Sequence, residues 1–183
     1  MKYISIDTET TGLDEKVCQL IEFGAVFDNL NSQRSIENLP SFHAYVAHDV
    51  YQGDPYALAM NQKILHRIAT REEGFLYLKP EELVSRFLEW AGQFIDGKFT
   101  VAGKNFGRFD SRFLDAIPDW RDRVDDHHRS MDVGSMFIDF DKDEEIPNLK
   151  TCLERAGIVK EISHTAVEDA IDVVHLVRYK KGR

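Results

Sequence analysis

The sequence predicts a mixed α/β fold, and three observations carry that prediction. Strand-like stretches follow one another at about 2–7, 20–27 and 42–47, separated by the loop residues Asp28-Asn29 and Asn38-Leu39-Pro40, so they read as an antiparallel meander. Helical patterns starting near 55, 80, 108, 148 and 165 come after them, the later ones alternating with short strand-like stretches at 99–104 and 129–133. Such αβα units, added to a meander, build one mixed sheet with helices packed against it. No repeat, linker or low-complexity segment interrupts the pattern. Residues 1–183 therefore read as one domain, long enough to bury a real core.

The elements are justified in turn by their residues. Lys2 to Ile6 is β-branched and aromatic, and Leu20 to Phe27 continues in the same style. Tyr56 to Leu65 reads as a helix with Ile64 and Leu65 inward, and Thr70 to Gly74 as its exit. Glu81 to Ile95 is a clearer amphipathic helix whose core face holds Leu83, Val84, Phe87, Leu88 and Ala91. Near the end, Thr165 followed three residues later by Glu168 reads as a capping box that starts a helix at Ala166. Val167, Ile171, Val174 and Val177 form its expected buried stripe.

Composition excludes some functions. The formal charge of −9 opposes a protein that holds long duplexes by counterion release over a basic face. The Lys180-Lys181-Gly182-Arg183 end reads as a solubilising tail. A nucleic acid would have to be gripped locally, at a strand end. The apolar runs are too short to cross a bilayer, so no membrane partner is expected. Cys18 and Cys152 match no zinc or redox spacing, and Met1-Lys2 leads straight into a strand; the expected compartment is the cytoplasm.

Chemistry concentrates at three places. Alternation along the first strand points Asp7 and Glu9 the same way while Ile4 and Ile6 face the other side, and Gly12 then allows a sharp turn. Asp110 falls in the first turn of a helix whose buried face carries Phe109 and Phe113. By itself Asp110 reads as a dipole partner, neutralised by Arg108 or Arg112. Asp169 lies on the last helix and His164 on the loop before it, which offers a fixed anion and a movable base. Two carboxylates brought to about 4 Å repel by roughly 4 kcal/mol at an effective dielectric near 20. Asp7, Glu9, Asp110 and Asp169 share one pocket only if cations bridge them or some are protonated. Mg²⁺ and Mn²⁺ accept such all-oxygen donor sets, and a neutral histidine can take a proton from water nearby.

These segments resemble the DEDDh family of 3′→5′ exonucleases. Asp7-Thr8-Glu9-Thr10-Thr11-Gly12-Leu13 is similar to its first motif, Asn105 to Leu114 to its second, and His164 with Asp169 to its third, in family order. The resemblance implies an RNase H-like fold, with a five-stranded mixed sheet flanked by helices and Asp7 and Glu9 on its first strand. It implies that Asp7, Glu9, Asp110 and Asp169 hold two Mg²⁺ or Mn²⁺ ions and that His164 is the general base. Thr10, Leu13 and Asn105 would contact substrate, Thr10 near the terminal 3′-hydroxyl and Leu13 as a wedge beside the terminal bases. Phe109 would pack beneath Asp110, and Asp132 would be structural. The implied reaction releases nucleoside 5′-monophosphates from single-stranded DNA or RNA 3′ ends, and a homodimer is a further expectation of the family. Two rival readings are an exonuclease-like module that binds without cutting and an RNase H-like endonuclease acting within a duplex. All five catalytic positions being present opposes the first, and the negative charge opposes the second. His127-His128 lies outside every motif and reads as a surface loop.

Overall fold

Two long strands form the frame on which the rest is built. In the computed structural model, which describes residues 1–160 and 165–182, β1 (Lys2–Thr10) pairs antiparallel with β2 (Leu20–Asn29). The register runs from Lys2 opposite Asn29 to Thr10 opposite Leu20, with a bulge between Glu9 and Thr10. β3 (Ser41–Val46) adds antiparallel to β2, completing the meander. The chain then passes through α1 (Pro55–Met60) and α2 (Gln62–Thr70) to β4 (Tyr77–Leu78), which runs parallel to β3. α3 (Pro80–Ala91) carries it across to β5 (Val101–Gly103), parallel to β1 on the opposite side from β2. α4 (Asp110–Asp115) and α5 (Trp120–Arg123) lead to β6 (Met131–Asp132), parallel to β5; α6 (Val133–Met136), α7 (Leu149–Arg155) and α8 (Ala166–Lys180) follow. The order across the sheet is β4-β3-β2-β1-β5-β6, which places β1 in its interior.

Each face of the sheet is covered by helices, as alternating side chains require. Ile4, Ile6, Phe23 and Phe42 pack on one face against Leu83, Val84 and Phe87 of α3 and against Leu114 and Trp120. Phe23 and Phe87 meet edge to face at 5.2 Å, and Phe87 stacks on Trp120 at 5.4 Å. Tyr3, Val26 and Ala102 face the other way, against Val133, Leu153 and the Ala170, Val173 and Val177 side of α8. A smaller cluster under α2 holds Ile21, Tyr45, Ile64 and Ile68.

Four expectations need correction. The sheet has six strands, because the 52–78 segment contributes β4, which at two residues is too short to show as a strand pattern. The single helix expected over Tyr56–Leu65 is two, broken at Asn61, and α2 buries Ile64 and Ile68 while Leu65 is only partly covered. α8 turns Ala166, Ala170, Val173, Val174 and Val177 fully inward, whereas Val167 and Ile171 sit at the edge of the stripe. At its start the Thr165 hydroxyl donates to the Glu168 carboxylate at 2.7 Å and makes no cap hydrogen bond to the helix backbone.

Candidate active site

The last residues of β1 place their side chains on opposite faces of the sheet. Asp7 and Glu9 point toward the start of α8, and carboxylate oxygens of Asp7, Glu9 and Asp169 all lie within 4.8 Å of one another. Thr8 points the other way, where its hydroxyl donates to Asp110 Oδ1 at 2.7 Å. Asp110 opens α4 and is buried. Its charge is near enough to Asp7 and Glu9 to raise the titration of both. The structure therefore gathers all four predicted carboxylates at one end of β1.

Burial shifts the titration of Asp7, Glu9 and Asp110 upward, and for Asp7 and Glu9 the neighbouring charges add to it. Burial, followed by the charges of Asp110, Asp169, Glu9 and Glu22, holds Asp7 well above the usual carboxylate range. Burial and the neighbouring Glu22 and Asp169 push Glu9 to about 8, against a hydrogen bond from Asn61 that lowers it. Burial raises Asp110 to about 7 despite hydrogen bonds that include the one from Thr8. Carboxylates in this state fit a divalent cation well. The donor set is all oxygen, as Mg²⁺ and Mn²⁺ favour, and a bound cation would offset both the burial and the mutual repulsion of these charges.

Leu20 to Phe27, a plain strand by its residues, is also the seat on which α8 reaches the cluster. Gly24 stands opposite Asp7 in the register. A Cβ at Gly24 would lie 2.3 Å from Ala166 C and Val167 N, so only a glycine lets the first turn of α8 rest on β2. Beside it, Glu22 is completely buried and stands opposite Glu9. Its Oε2 accepts the Ala166 N–H at 3.3 Å and its Oε1 meets His43 Nε2 of β3 at 2.5 Å. One available signal was a charge within an otherwise apolar strand, since an acid there is seldom buried without partners.

The turn after β1 is pinned to the chain that enters α1. Thr11 O accepts from Asp54 N at 2.7 Å, Thr11 Oγ1 donates to Gln52 O at 2.6 Å, and Asn61 Nδ2 donates to Thr10 O at 3.0 Å. Thr10 is buried, its hydroxyl donating to Gly12 O at 2.7 Å. Between these segments opens a cleft of about 770 Å³ lined by Glu9, Thr10, Leu13, Tyr56, Met60 and Phe109, among others. Leu13 and Tyr56 are 79% and 77% exposed, so large apolar surfaces face this cleft without partners of their own. Phe109 is only partly buried and lines the cleft beside Phe113, its ring 5.2 Å away, rather than packing beneath Asp110 as expected.

The remaining predicted residues fall as follows. Asn105 adopts a left-handed backbone with φ of 63° and accepts from Arg108 N and Phe109 N at 3.0 Å, which forms the turn into α4. Its own N–H donates to Asp132 Oδ2 at 2.5 Å, and Asp132 Oδ1 accepts from Ser135 N at 2.9 Å, so Asp132 ties the second motif to α6. His127 and His128 are exposed. His164 lies outside the described residues. Among the described residues no helix is long and apolar enough to cross a membrane.

Comparisons with known proteins place this geometry. The nuclease domain of 3′hExo, a DEDDh family member bound to rAMP, aligns at a TM-score of 0.69 and 16% identity over 99% of this chain and 92% of its own. Exonuclease I of E. coli in complex with a dT13 oligonucleotide aligns at 0.67 and 17% identity over the whole chain. Exonuclease I of Methylocaldum szegediense aligns at 0.69 and 19%, again over the whole chain. This chain spans 41% of the first exonuclease I and 40% of the second. No curated protein matches it in sequence. The family model described as exonuclease matches residues 4–177, nearly the full length, and the chain belongs to that exonuclease family.

Proposed function

We propose that this chain hydrolyses single-stranded nucleic acid from its 3′ end, releasing nucleoside 5′-monophosphates with the help of two Mg²⁺ or Mn²⁺ ions. The observation that carries the reading is the cluster itself. Asp7, Glu9 and Asp169 offer oxygens within 4.8 Å of one another, Asp110 is near enough to raise the titration of Asp7, and Glu9 also lines the apolar cleft. Bound divalent ions would supply positive charge to the scissile phosphate and to the attacking and leaving oxygens.

The chain's own residues do the rest. Asp7, Glu9, Asp110 and Asp169 hold the ions. In this reading His164, just before α8, accepts the proton of the attacking water, a task suited to a group whose ordinary pKa is near neutrality. Leu13, Tyr56, Met60 and Phe109 offer the terminal bases apolar and aromatic surface, which suits unpaired bases of any sequence. Thr10 and the turn after it fix the cleft wall against which the terminal sugar rests.

The test is a 5′-labelled single strand incubated with purified protein. A ladder of shortening products with Mg²⁺, and none with EDTA, is expected. Intact DNA and RNA strands in the presence of metal would overturn the reading.

A further inference from the structure

The loop that leads into Asp110 borders two hollows, and the apolar cleft is only one of them. On the side of the second motif lies a cavity of about 410 Å³ lined by Lys104, Asn105, Arg108, Ser130, Asp132 and Ser135, among others. Its character is opposite to that of the cleft. Lys104 and Arg108 bring two cations to it, and neither forms an ion pair with a described carboxylate. Arg112, by contrast, is engaged with Glu15. The one acid in the lining, Asp132, spends its oxygens on the backbone amides of Asn105 and Ser135. Two unpaired cations beside one another are conspicuous in a chain of net charge −9.

Lys104 is held in place by its packing. Lys104 follows β5 directly and is half-buried, and its Cε would lie 3.0 Å from a Cβ built at Gly134, so its stem rests on α6. It is also near enough to Asp110 to lower that carboxyl's titration. Arg108 and Phe109 are adjacent, yet Arg108 lines the basic cavity and Phe109 the apolar cleft. The loop that delivers Asp110 thus serves a different hollow on either side.

We infer that the Lys104–Arg108 cavity holds the backbone phosphate lying 5′ to the scissile one, and so selects substrates longer than a dinucleotide. This inference rests on the exonuclease reading above. A cut at the terminal linkage needs two binding surfaces, one for the departing nucleotide and one for the strand that stays. The apolar cleft suits the departing base, and the cationic cavity suits a phosphodiester, whose oxygens accept charge-assisted hydrogen bonds from lysine and arginine. Such contacts position a strand without reading its sequence.

The experiment compares wild type with K104Q, R108Q and the double variant on a 5′-hydroxyl dinucleotide and a single-stranded 12-mer. The dinucleotide carries no phosphate beyond the scissile one. Each single variant is expected to raise KM for the 12-mer roughly tenfold more than for the dinucleotide, the scale of one charged hydrogen bond. R86Q, on the exposed surface of α3, serves as the neutral control. Binding of the 12-mer in Ca²⁺, followed by anisotropy across salt, should show a log–log slope shallower by roughly 0.7 for each cation removed. Equal losses on both substrates, an unchanged salt slope, or no binding by wild type would overturn the inference. Wild type that binds with the expected slopes yet never shortens a strand would keep the phosphate site and sink the exonuclease reading instead.

Discussion

Replacing Gly24 with alanine should disable the site from a position that contributes no side chain to it. The alanine Cβ would meet Ala166 C and Val167 N at 2.3 Å and Ala166 O at 2.5 Å, all backbone atoms of the first turn of α8. Ordinary contact begins at 3.4 Å, and close-packed interiors do not absorb such overlap, so the turn must rise by about 1 Å. That movement carries Asp169 away from Asp7 and Glu9 and stretches the 3.3 Å bond from Ala166 N to Glu22 beyond hydrogen-bond length. Overpacking of this kind costs about 1–3 kcal/mol of stability. A misplacement of about 1 Å among reacting groups costs roughly 10²-fold in rate. Urea denaturation, Mg²⁺ titration and single-turnover cleavage by G24A would read all three effects. V177A, which trims a buried valine from the same helix farther along, should lose stability on a similar scale while keeping its rate. A G24A enzyme with wild-type Mg²⁺ affinity and rate would refute the claim that α8 is set by its seat on β2.

Three further outcomes follow from the same geometry. Glu9 and Asp110 titrate at about 8 and about 7 in the folded chain, above their ordinary values, so the metal-free fold binds more protons than the unfolded chain between about pH 4 and 8. Metal-free stability should accordingly fall as pH rises from 6 to 8.5, and Mg²⁺ should raise Tm more at the higher pH; thermal scans with and without metal at both values check this. His164→Ala should slow cleavage by roughly 10²–10⁴-fold, with Mg²⁺ binding by calorimetry largely retained; loss of metal binding would make His164 a ligand instead. Arg178→Met should cost about 3–5 kcal/mol by urea denaturation. It would strand the buried Asp28 carboxylate, which Arg178 holds through bonds of 2.7 and 3.0 Å and which Tyr3 bonds at 2.9 Å.

What the sequence made legible was local or carried by short motifs. The alternation of Tyr3 to Glu9 was enough to put Asp7 and Glu9 on one face, and the apolar spacing of Leu83, Val84 and Phe87 gave α3 its buried side. The motif spacings also identified Asp110 and Asp169 as companions of the first pair. The missed features depend on contacts between distant segments. Glu22 acquires its role only when Ala166, 144 residues away, settles beside it. Thr8 does so only when Asp110, 102 residues on, meets its hydroxyl. Asn61 interrupts a good helical pattern because its side chain is committed to Thr10 O, a partner no local propensity could suggest. β4 is two residues long and exists as a strand only because β3 lies beside it.

The central claim is that this carboxylate cluster cuts from a free 3′ end. Its most direct test is to incubate the protein with Mg²⁺ and two substrates of identical sequence, one a linear single strand and the other closed into a circle. The account predicts that the linear strand is consumed to nucleoside 5′-monophosphates while the circle stays intact. A circle opened at a comparable rate would contradict it, because the site would then be cutting within the strand.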